Sequence, residues 1–392
     1  MDKILVLNSG SSSLKFQVLQ MPDENVLASG LIDKIGLPGS GITYKNVRES
    51  FSYQEEIESH HAALLKVSEL LMDTENGAIS SPDEILGIGH RVVHGGSHFT
   101  DVAVVSAEIK NQIRELFSMA PLHNPANLVG IEVAETVFPN SAQIAVFDTA
   151  FHQTIPEKAY RYAIPNSLFK EEGIRLYGFH GTSHQYVSAR ASEYLNNKEA
   201  KMVVLHLGNG CSATAVKSGK SVDHSMGFGP LNGLVMGTRS GDIDPSVLLY
   251  LLEKGYSAGD IHKLLNKESG MLGLSGYSDL REIVSQFEKG NKDCGLSLEI
   301  NAYRIKKYIG AYAAAMNGLD AIVFTAGVGE NSPLVRRMAC EGLEFFGINI
   351  DLSRNEKGEF EIQSEKSKVK ILVIPTNEEL AIARQTYAKI KA

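Results

Sequence analysis

Ile4-Leu5-Val6-Leu7-Asn8-Ser9-Gly10-Ser11-Ser12-Ser13-Leu14-Lys15-Phe16-Gln17-Val18-Leu19 is a short aliphatic run, a polar turn, and a second run in which apolar and polar residues alternate. It reads as strand, turn, strand. The shape returns where Met202-Val203-Val204-Leu205-His206-Leu207 leads into Gly208-Asn209-Gly210-Cys211-Ser212 and Ala213-Thr214-Ala215-Val216-Lys217 resumes. Superposing Gly10 on Gly208 separates the two copies by about half of the 392 residues, which points to a duplicated architecture.

Further buried strands are expected at Ile85-Leu86-Gly87-Ile88, Ile144-Ala145-Val146-Phe147, Ala321-Ile322-Val323-Phe324 and Ile371-Leu372-Val373-Ile374, each a short apolar run stopped by polar residues or glycine. Ile305, Ile309, Ala313 and Met316 recur at helical spacing, and Asn317-Gly318 closes that helix. Ser332-Pro333 supplies a cap and a first-turn proline for another, whose Leu334, Val335, Met338 and Leu343 face inward and which Gly347 ends. The charged, apolar-poor stretch from Ser353 to Lys370 is expected to be a solvated hairpin or loop. Strands alternating with helices make an α/β protein. The second strand-turn-strand copy must open the second half, so the boundary is expected between Thr149 and Pro165, giving domains 1–150 and 151–392.

At 392 residues the chain is long enough for two domains with sizeable cores. With 43% hydrophobic and 21% charged residues, disorder, collagen and coiled coil are disfavoured. A net charge of −8 gives no field to attract a polyanion, so nucleic acid is not expected as a partner. Three widely spaced cysteines, Cys211, Cys294 and Cys340, fit neither a disulfide framework nor a zinc knuckle. The apolar run after Met1 is too short for a signal-peptide core, and no run reaches membrane-spanning length. The expectation is a soluble cytoplasmic protein without a membrane partner.

The 36 glycines are many, and several cluster at strand ends, where bare N–H groups can cradle phosphate oxygens. Two familiar phosphate motifs fail. Gly219-Lys220-Ser221 has Thr214 where a Walker loop needs its first glycine, and the Gly208-x-Gly210 and Gly327-x-Gly329 pairs meet Ala213 and Ser332 where a dinucleotide fingerprint needs its third. Three loops remain, Asn8 to Lys15, His206 to Ser212 and Gly327 to Asn331, each after an expected strand. A tight hairpin accounts for any one of them; together they suggest a ligand cleft.

Arg91 follows an apolar run within Gly89-His90-Arg91-Val92-Val93-His94-Gly95-Gly96, and Arg239 is similarly flanked in Met236-Gly237-Thr238-Arg239-Ser240-Gly241-Asp242. Either guanidinium can grip a carboxylate or phosphate with two hydrogen bonds, or form an ordinary surface ion pair. Asp148 ends a strand, where open α/β folds place ligands, though it can equally cap a turn. His180, in Tyr177-Gly178-Phe179-His180-Gly181-Thr182-Ser183-His184, is structural or catalytic on spacing alone. Glu378 and Glu379 follow Pro375-Thr376-Asn377, and either complement a helix N-terminus or ligate magnesium. No zinc motif is present.

The Asn8-to-Lys15, Gly89-to-Gly96 and Tyr177-to-His184 stretches resemble acetate kinases, and so do His206-Leu207-Gly208-Asn209-Gly210, Gly237-Thr238-Arg239-Ser240-Gly241-Asp242 and Phe324-Thr325-Ala326-Gly327-Val328-Gly329-Glu330-Asn331. The likeness spans the chain in the family's order. It implies the actin, sugar-kinase and Hsp70-like (ribonuclease H-like) fold, two duplicated domains around a nucleotide cleft, usually in a homodimer. The first domain would carry the carboxylate-substrate loops and the second the nucleotide, with the last helix, about 378–392, packing back on the first. Lys15, His206, Leu207, Gly208, Asn209, Gly210, Asp279, Leu280, Arg281, Gly327, Val328, Gly329, Glu330 and Asn331 would hold ATP. Asn8 and Glu378 would hold Mg2+, for which Mn2+ can substitute. Arg91 would bind the substrate carboxylate, Asp148 is the family's active-site acid, and His180 and Arg239 would stabilise the transition state. Val93, Leu122, Phe179 and Pro230 resemble the family's small pocket for a methyl group, while ordinary core packing also accounts for them.

The implied reaction passes a phosphoryl group between ATP and acetate, giving ADP and acetyl phosphate. A carboxylic acid of pKa near 4 to 5 is already ionised at neutral pH and needs no base, so Asp148 is expected to orient the magnesium shell or the attacking carboxylate. The rival readings are a propionate kinase with a wider pocket, an ATP-driven conformational module of the Hsp70 or actin type, and a sugar kinase of related fold.

Overall fold

The computed structural model describes residues 2–392, which divide into two compact units: residues 2–150 with 377–392 (unit 1), and residues 151–376 (unit 2).

Unit 1 is built on an eight-stranded sheet. Its strands are β1 (Asp2–Ser9), β2 (Ser13–Met21), β3 (Asn25–Asp33), β4 (Gly41–Asn46), β5 (Ser50–Gln54), β6 (Ile85–Val92), β7 (Ala103–Val104) and β8 (Ala142–Phe147), in the order β5-β4-β3-β2-β1-β6-β8-β7. β1 to β5 form an antiparallel meander, and β6 and β8 join β1 in parallel. The middle of β1, Ile4 to Leu7, is an unbroken apolar run because both its faces are covered. Leu5 and Leu7 enter a core with helices His60–Leu71 and Asn124–Val137, whereas Ile4 and Val6 meet Ile382 and Ala383 of helix Glu378–Lys391. Two glycines admit that final helix. A Cβ on Gly87 would lie 2.2 Å from Ile390 Cδ1, and one on Gly89 would lie 2.3 Å from Thr386 Oγ1.

Unit 2 repeats the plan. β9 (Lys201–Leu207), β10 (Cys211–Lys217) and β11 (Lys220–His224) form an antiparallel run, and β12 (Ala321–Thr325) and β13 (Lys370–Val373) continue it in parallel, in the order β11-β10-β9-β12-β13. This matches β3-β2-β1-β6-β8, so the duplication expected from Gly10 and Gly208 is present in the topology: Ser9 faces Leu14 across the first turn and Leu207 faces Cys211 across the second. Helix Gly181–Tyr194 covers one face through Val187 and Ala191, and helix Lys292–Met316 packs on β9 and β10. The latter buries Ile305, Ile309, Ala313 and Met316 and ends at Asn317 in the left-handed conformation, as its spacing indicated.

Three local expectations are corrected. The helix opened by Ser332-Pro333 stops at Cys340, because Gly342 turns left-handed at φ +74°; Gly347 ends a separate 3-10 turn, Glu344–Phe346, and Leu334 and Met338 are only half-buried. The Ser353-to-Lys370 stretch is not simply a solvated loop. It contains most of helix Leu352–Lys357 and buries Asn355, Ile362 and Val369. Gly327 to Asn331 is a helical turn, Ala326–Asn331, rather than an open loop.

Candidate active site

Strand ends place the charged groups of unit 1. Arg91 stands beside Val146 in the β6–β8 register, and Asp148 follows β8 directly, its N–H donating to Val92 O at 2.9 Å. Arg91 Nε lies 3.1 Å from both carboxylate oxygens of Asp148, and Nη2 donates to Oδ2 at 2.6 Å. Asp148 is 1% exposed and Glu378 Oε2 stands 3.9 Å from Arg91 Nε. Burial opposes charge on Arg91, but the Asp148 and Glu378 carboxylates outweigh it and raise the guanidinium above its ordinary value. Burial pushes the Asp148 carboxyl up while Arg91 pulls it down.

Two buried asparagines fix the surrounding loops. Asn127 accepts from Val93 N–H at 3.1 Å and donates to Ser9 O at 2.7 Å, tying the loop after β6 to the end of β1. Asn124 clasps His94 through its backbone N–H and C=O, at 3.0 and 2.9 Å. Asn8 lies at the end of β1 opposite Lys15, and Lys15 forms an ion pair with Glu379.

In unit 2, His180 caps helix Gly181–Tyr194 in the left-handed region, φ 56° and ψ 27°, a strained choice for a non-glycine residue and one that concentrates at functional sites. Its ring stacks on His206 with centroids 4.3 Å apart, and its Nδ1 pairs with Ser212 Oγ at 2.9 Å. His206 Nδ1 pairs in turn with Ser183 Oγ at 2.8 Å. A Cβ on Gly210 would lie 3.5 Å from His180 Nε2 and 4.0 Å from Arg239 Nη1, so the imidazole and the guanidinium converge on this turn.

Arg239 donates to Pro230 O at 3.0 Å. Its loop is closed by Gly233 N–H donating to Asp242 at 2.9 Å, with Tyr308 OH on the same carboxylate at 2.9 Å and Arg304 at 3.2 Å. Burial lowers the Arg239 guanidinium below its ordinary value, and a bound anion would relieve that cost.

A cavity of about 1080 Å³ opens in unit 2. Gly208, Asn209, Gly327 and Val328 give it a polar backbone rim, and Ile283, Val284 and Phe287 of helix Leu280–Glu288 give it an apolar wall. Asp279 caps that helix and pairs with Arg281 at 2.6 Å. The rim is anchored by Arg336, 1% exposed, which donates to Gly329 O at 3.0 Å, Glu330 O at 2.8 Å, Asn355 Oδ1 at 2.8 Å and Asn355 O at 2.7 Å.

Of the candidate site residues singled out in the sequence, Asn8, Lys15, Arg91, Val93, Leu122, Asp148, Glu378 and Glu379 lie in unit 1 and the others in unit 2. Within unit 1 the structure joins Arg91, Asp148 and Glu378, and leaves Leu122 48% exposed. Within unit 2 it brings His180, His206, Gly210 and Arg239 together and sets Leu207, Gly208, Asn209, Asp279, Leu280, Arg281, Gly327, Val328 and Asn331 around the cavity. Glu330 turns away to accept from Thr376 N–H at 3.1 Å. Phe179 is buried and its carbonyl pairs with His152 Nε2 at 2.9 Å.

Sequence reasoning missed Ser212, His184, Asn124, Asn127 and Arg336. His184, four residues after His180 and so on the same helical face, and Ser212, the last residue of the candidate His206-to-Ser212 loop, carried a usable signal.

The family model described as Acetokinase family matches residues 3–384. The acetate kinase of Flavobacterium johnsoniae is 56% identical over 389 residues, 98% of each chain, and that of Thermotoga maritima is 52% identical over 393 residues, again 98% of each. Among solved structures, Porphyromonas gingivalis acetate kinase superposes with a TM-score of 0.94 at 46% identity over 99% of both chains. A propionate kinase from Francisella tularensis gives 0.95 at 42% identity, covering 99% of this chain and all of the other.

Proposed function

The chain belongs to the acetokinase family, and we propose that it transfers the γ-phosphoryl group of ATP to acetate, reversibly, giving ADP and acetyl phosphate. Two anions must react, so charge repulsion is the main barrier. Arg91 takes the acetate carboxylate with the guanidinium edge that Asp148 leaves available. Asp148 is a positioning residue in this reading: both its oxygens face Arg91, and an already ionised acceptor gives a base nothing to remove. Asp148 thus orients the attacking carboxylate through Arg91.

Arg239 and His180 brace the phosphoryl oxygens as charge redistributes; one arginine in such a place supplies about 10³–10⁵ in rate. The adenosine lies against Ile283, Val284 and Phe287, with the phosphates over the Gly208–Gly210 and Gly327–Asn331 turns. Asp279 and Arg281 border it. Asn8 and Glu378 offer an amide and a carboxylate oxygen, hard donors suited to Mg2+ or Mn2+ carrying waters and substrate phosphate. The ion supplies neutralisation of phosphate charge when bound. An acyl group of about the size of a methyl is the proposed fit, on the resemblance of Val93, Leu122, Phe179 and Pro230 to the family's positions.

The working form is a homodimer. Helix Pro245–Glu253 is almost wholly apolar yet buries no residue, and leaves Leu249 63% and Tyr250 56% exposed, a face matched in chemistry by a second copy of itself. No helix among the described residues is long and apolar enough to cross a membrane, and the three cysteines are free and buried; the proposed compartment is the cytoplasm.

The observation that carries the reading is the pairing of Arg91 with the buried Asp148, a preset anion grip that an ATP-driven conformational module without an acid substrate does not need. Hydroxamate trapping with ATP and magnesium tests it: acyl phosphate should form fastest with acetate, more slowly with propionate and least with butyrate, at about 1–3 kcal/mol per methylene. ATP loss indifferent to the acid, or butyrate as the best acceptor, would overturn it.

A further inference from the structure

Five histidines crowd unit 2 behind the Gly208–Gly210 turn, and their hydrogen bonds determine which ring nitrogen carries a proton. Ser212 Oγ is fully buried and stands between two of them, 2.9 Å from His180 Nδ1 and 2.7 Å from His184 Nε2. A hydroxyl has one proton, so it can donate to only one of the rings and must accept from the other. The direction of this chain decides which face of His180 donates.

His184 settles it. Its Nδ1 is buried with no partner. A proton there would be an unsatisfied buried donor, among the rarest and costliest arrangements in folded proteins. The adjoining His224 ring, whose Nδ1 lies 2.9 Å from Met226 N and 3.3 Å from Met226 O, meets that of His184 edge-on with centroids 5.4 Å apart and offers His184 Nδ1 no hydrogen bond. His184 stays neutral: burial, then the neighbouring His224, His152, His206 and His180, hold it well below the ordinary histidine value. Its single proton is therefore on Nε2 and points at Ser212.

We propose that Ser212 and His184 act as a relay that fixes the tautomer of His180: His184 Nε2–H donates to Ser212 Oγ, and Ser212 O–H donates to His180 Nδ1. The proton of the His180 ring then sits on Nε2, the nitrogen on the side of Gly210 and Arg239. His180 can thus donate a hydrogen bond to the transferring phosphoryl group while uncharged, beside a guanidinium whose own charge burial already penalises. Ser212 and His184 are positioning residues, since neither reaches the reactants. The inference rests on the reading of His180 as a group that contacts the phosphoryl oxygens.

Nitrogen-15 NMR of the full-length protein labelled at histidine tests the relay directly, with the His180 signals assigned by their loss in His180→Ala. The expected pattern is an imine-type Nδ1 and an amine-type Nε2 on His180; the reverse pattern overturns the proposal. Ser212→Ala should give a mixture of tautomers and lower kcat at least about tenfold with little change in KM for ATP or acetate, the size expected for one lost hydrogen bond to a charged group. Ser212→Thr, which keeps the hydroxyl, should restore both the spectrum and most of the rate. If Ser212→Ala folds and retains the wild-type spectrum and kcat, the relay is refuted; if it does not fold, the wild-type spectrum still decides. Full turnover in His180→Ala would remove His180 from the reaction while leaving the tautomer assignment intact, so the two failures are distinguishable.

Discussion

Arg91 gives its Nε–Nη2 edge to Asp148, at 3.1 and 2.6 Å, so one side of the guanidinium is held by a carboxylate that is itself buried. A side chain normally rich in rotamers is thereby fixed at the C-terminal end of β6, and the entropic cost of ordering it is met before a substrate arrives.

Asp148→Asn keeps the volume but weakens the hold on Arg91. kcat/KM for acetate should fall by about 10²-fold, the scale of a misplaced catalytic group, with little change in KM for ATP. Steady-state hydroxamate kinetics would check this. A loss that recovers steeply and log-linearly with rising pH would identify a proton acceptor instead of a positioning group.

Arg91→Ala should chiefly raise the half-saturation concentration for acetate, whereas Arg239→Ala should lower kcat by about 10³ while leaving ATP affinity near wild type, because its interaction strengthens in the transition state. Nucleotide titration by fluorescence or calorimetry separates binding from turnover. A defect of Arg91→Ala confined to ATP would contradict the assignment of the acceptor to this residue.

Arg336→Met removes four donated hydrogen bonds from one buried side chain and strands the carbonyls of Gly329 and Glu330. A stability loss of about 3–5 kcal/mol is expected, with weaker ATP binding, as the Ala326–Asn331 turn loses its anchor. Thermal melting with and without ADP reports both effects; an unchanged Tm would show that the turn is held by its own backbone.

Burial pushes the Asp223 carboxyl up to about 6, against the opposing hydrogen bond from His224 N–H. The folded state therefore holds a proton that the unfolded chain releases near pH 4, and this group's contribution to stability is lost as pH rises from about 4 to 6. Asp223→Asn should raise Tm at pH 8 by more than at pH 5, with an upper bound of about 3 kcal/mol. An equal shift at both values would dissociate the carboxyl from the pH dependence.

Leu249→Glu with Tyr250→Glu should leave the fold intact but give a species of half the mass in sedimentation velocity, because two like charges would replace apolar surface. Unchanged sedimentation would locate any dimer contact elsewhere.

The sequence determined the parts of this protein that repeat or alternate. Strands covered on both faces must be apolar runs, which is why β1, β6, β8, β9 and β12 could be read directly, and why the two hairpin turns revealed the duplication. Glycine and polar residues at strand ends marked Arg91, Asp148 and Arg239 as groups the core does not need. What the tertiary structure alone decided are pairings between residues far apart in the chain. Asn127 with Ser9, Arg336 with Asn355, and Ser212 with both His180 and His184 have no local pattern, because a hydrogen bond between distant segments is specified by packing and imposes no periodicity on either partner. The same cause hid the buried segment between Ser353 and Lys370: Phe360, Ile362 and Val369 are too few among charged neighbours to mark a buried element, and Asn355 is buried through its pairings with Arg336 and Pro333 O.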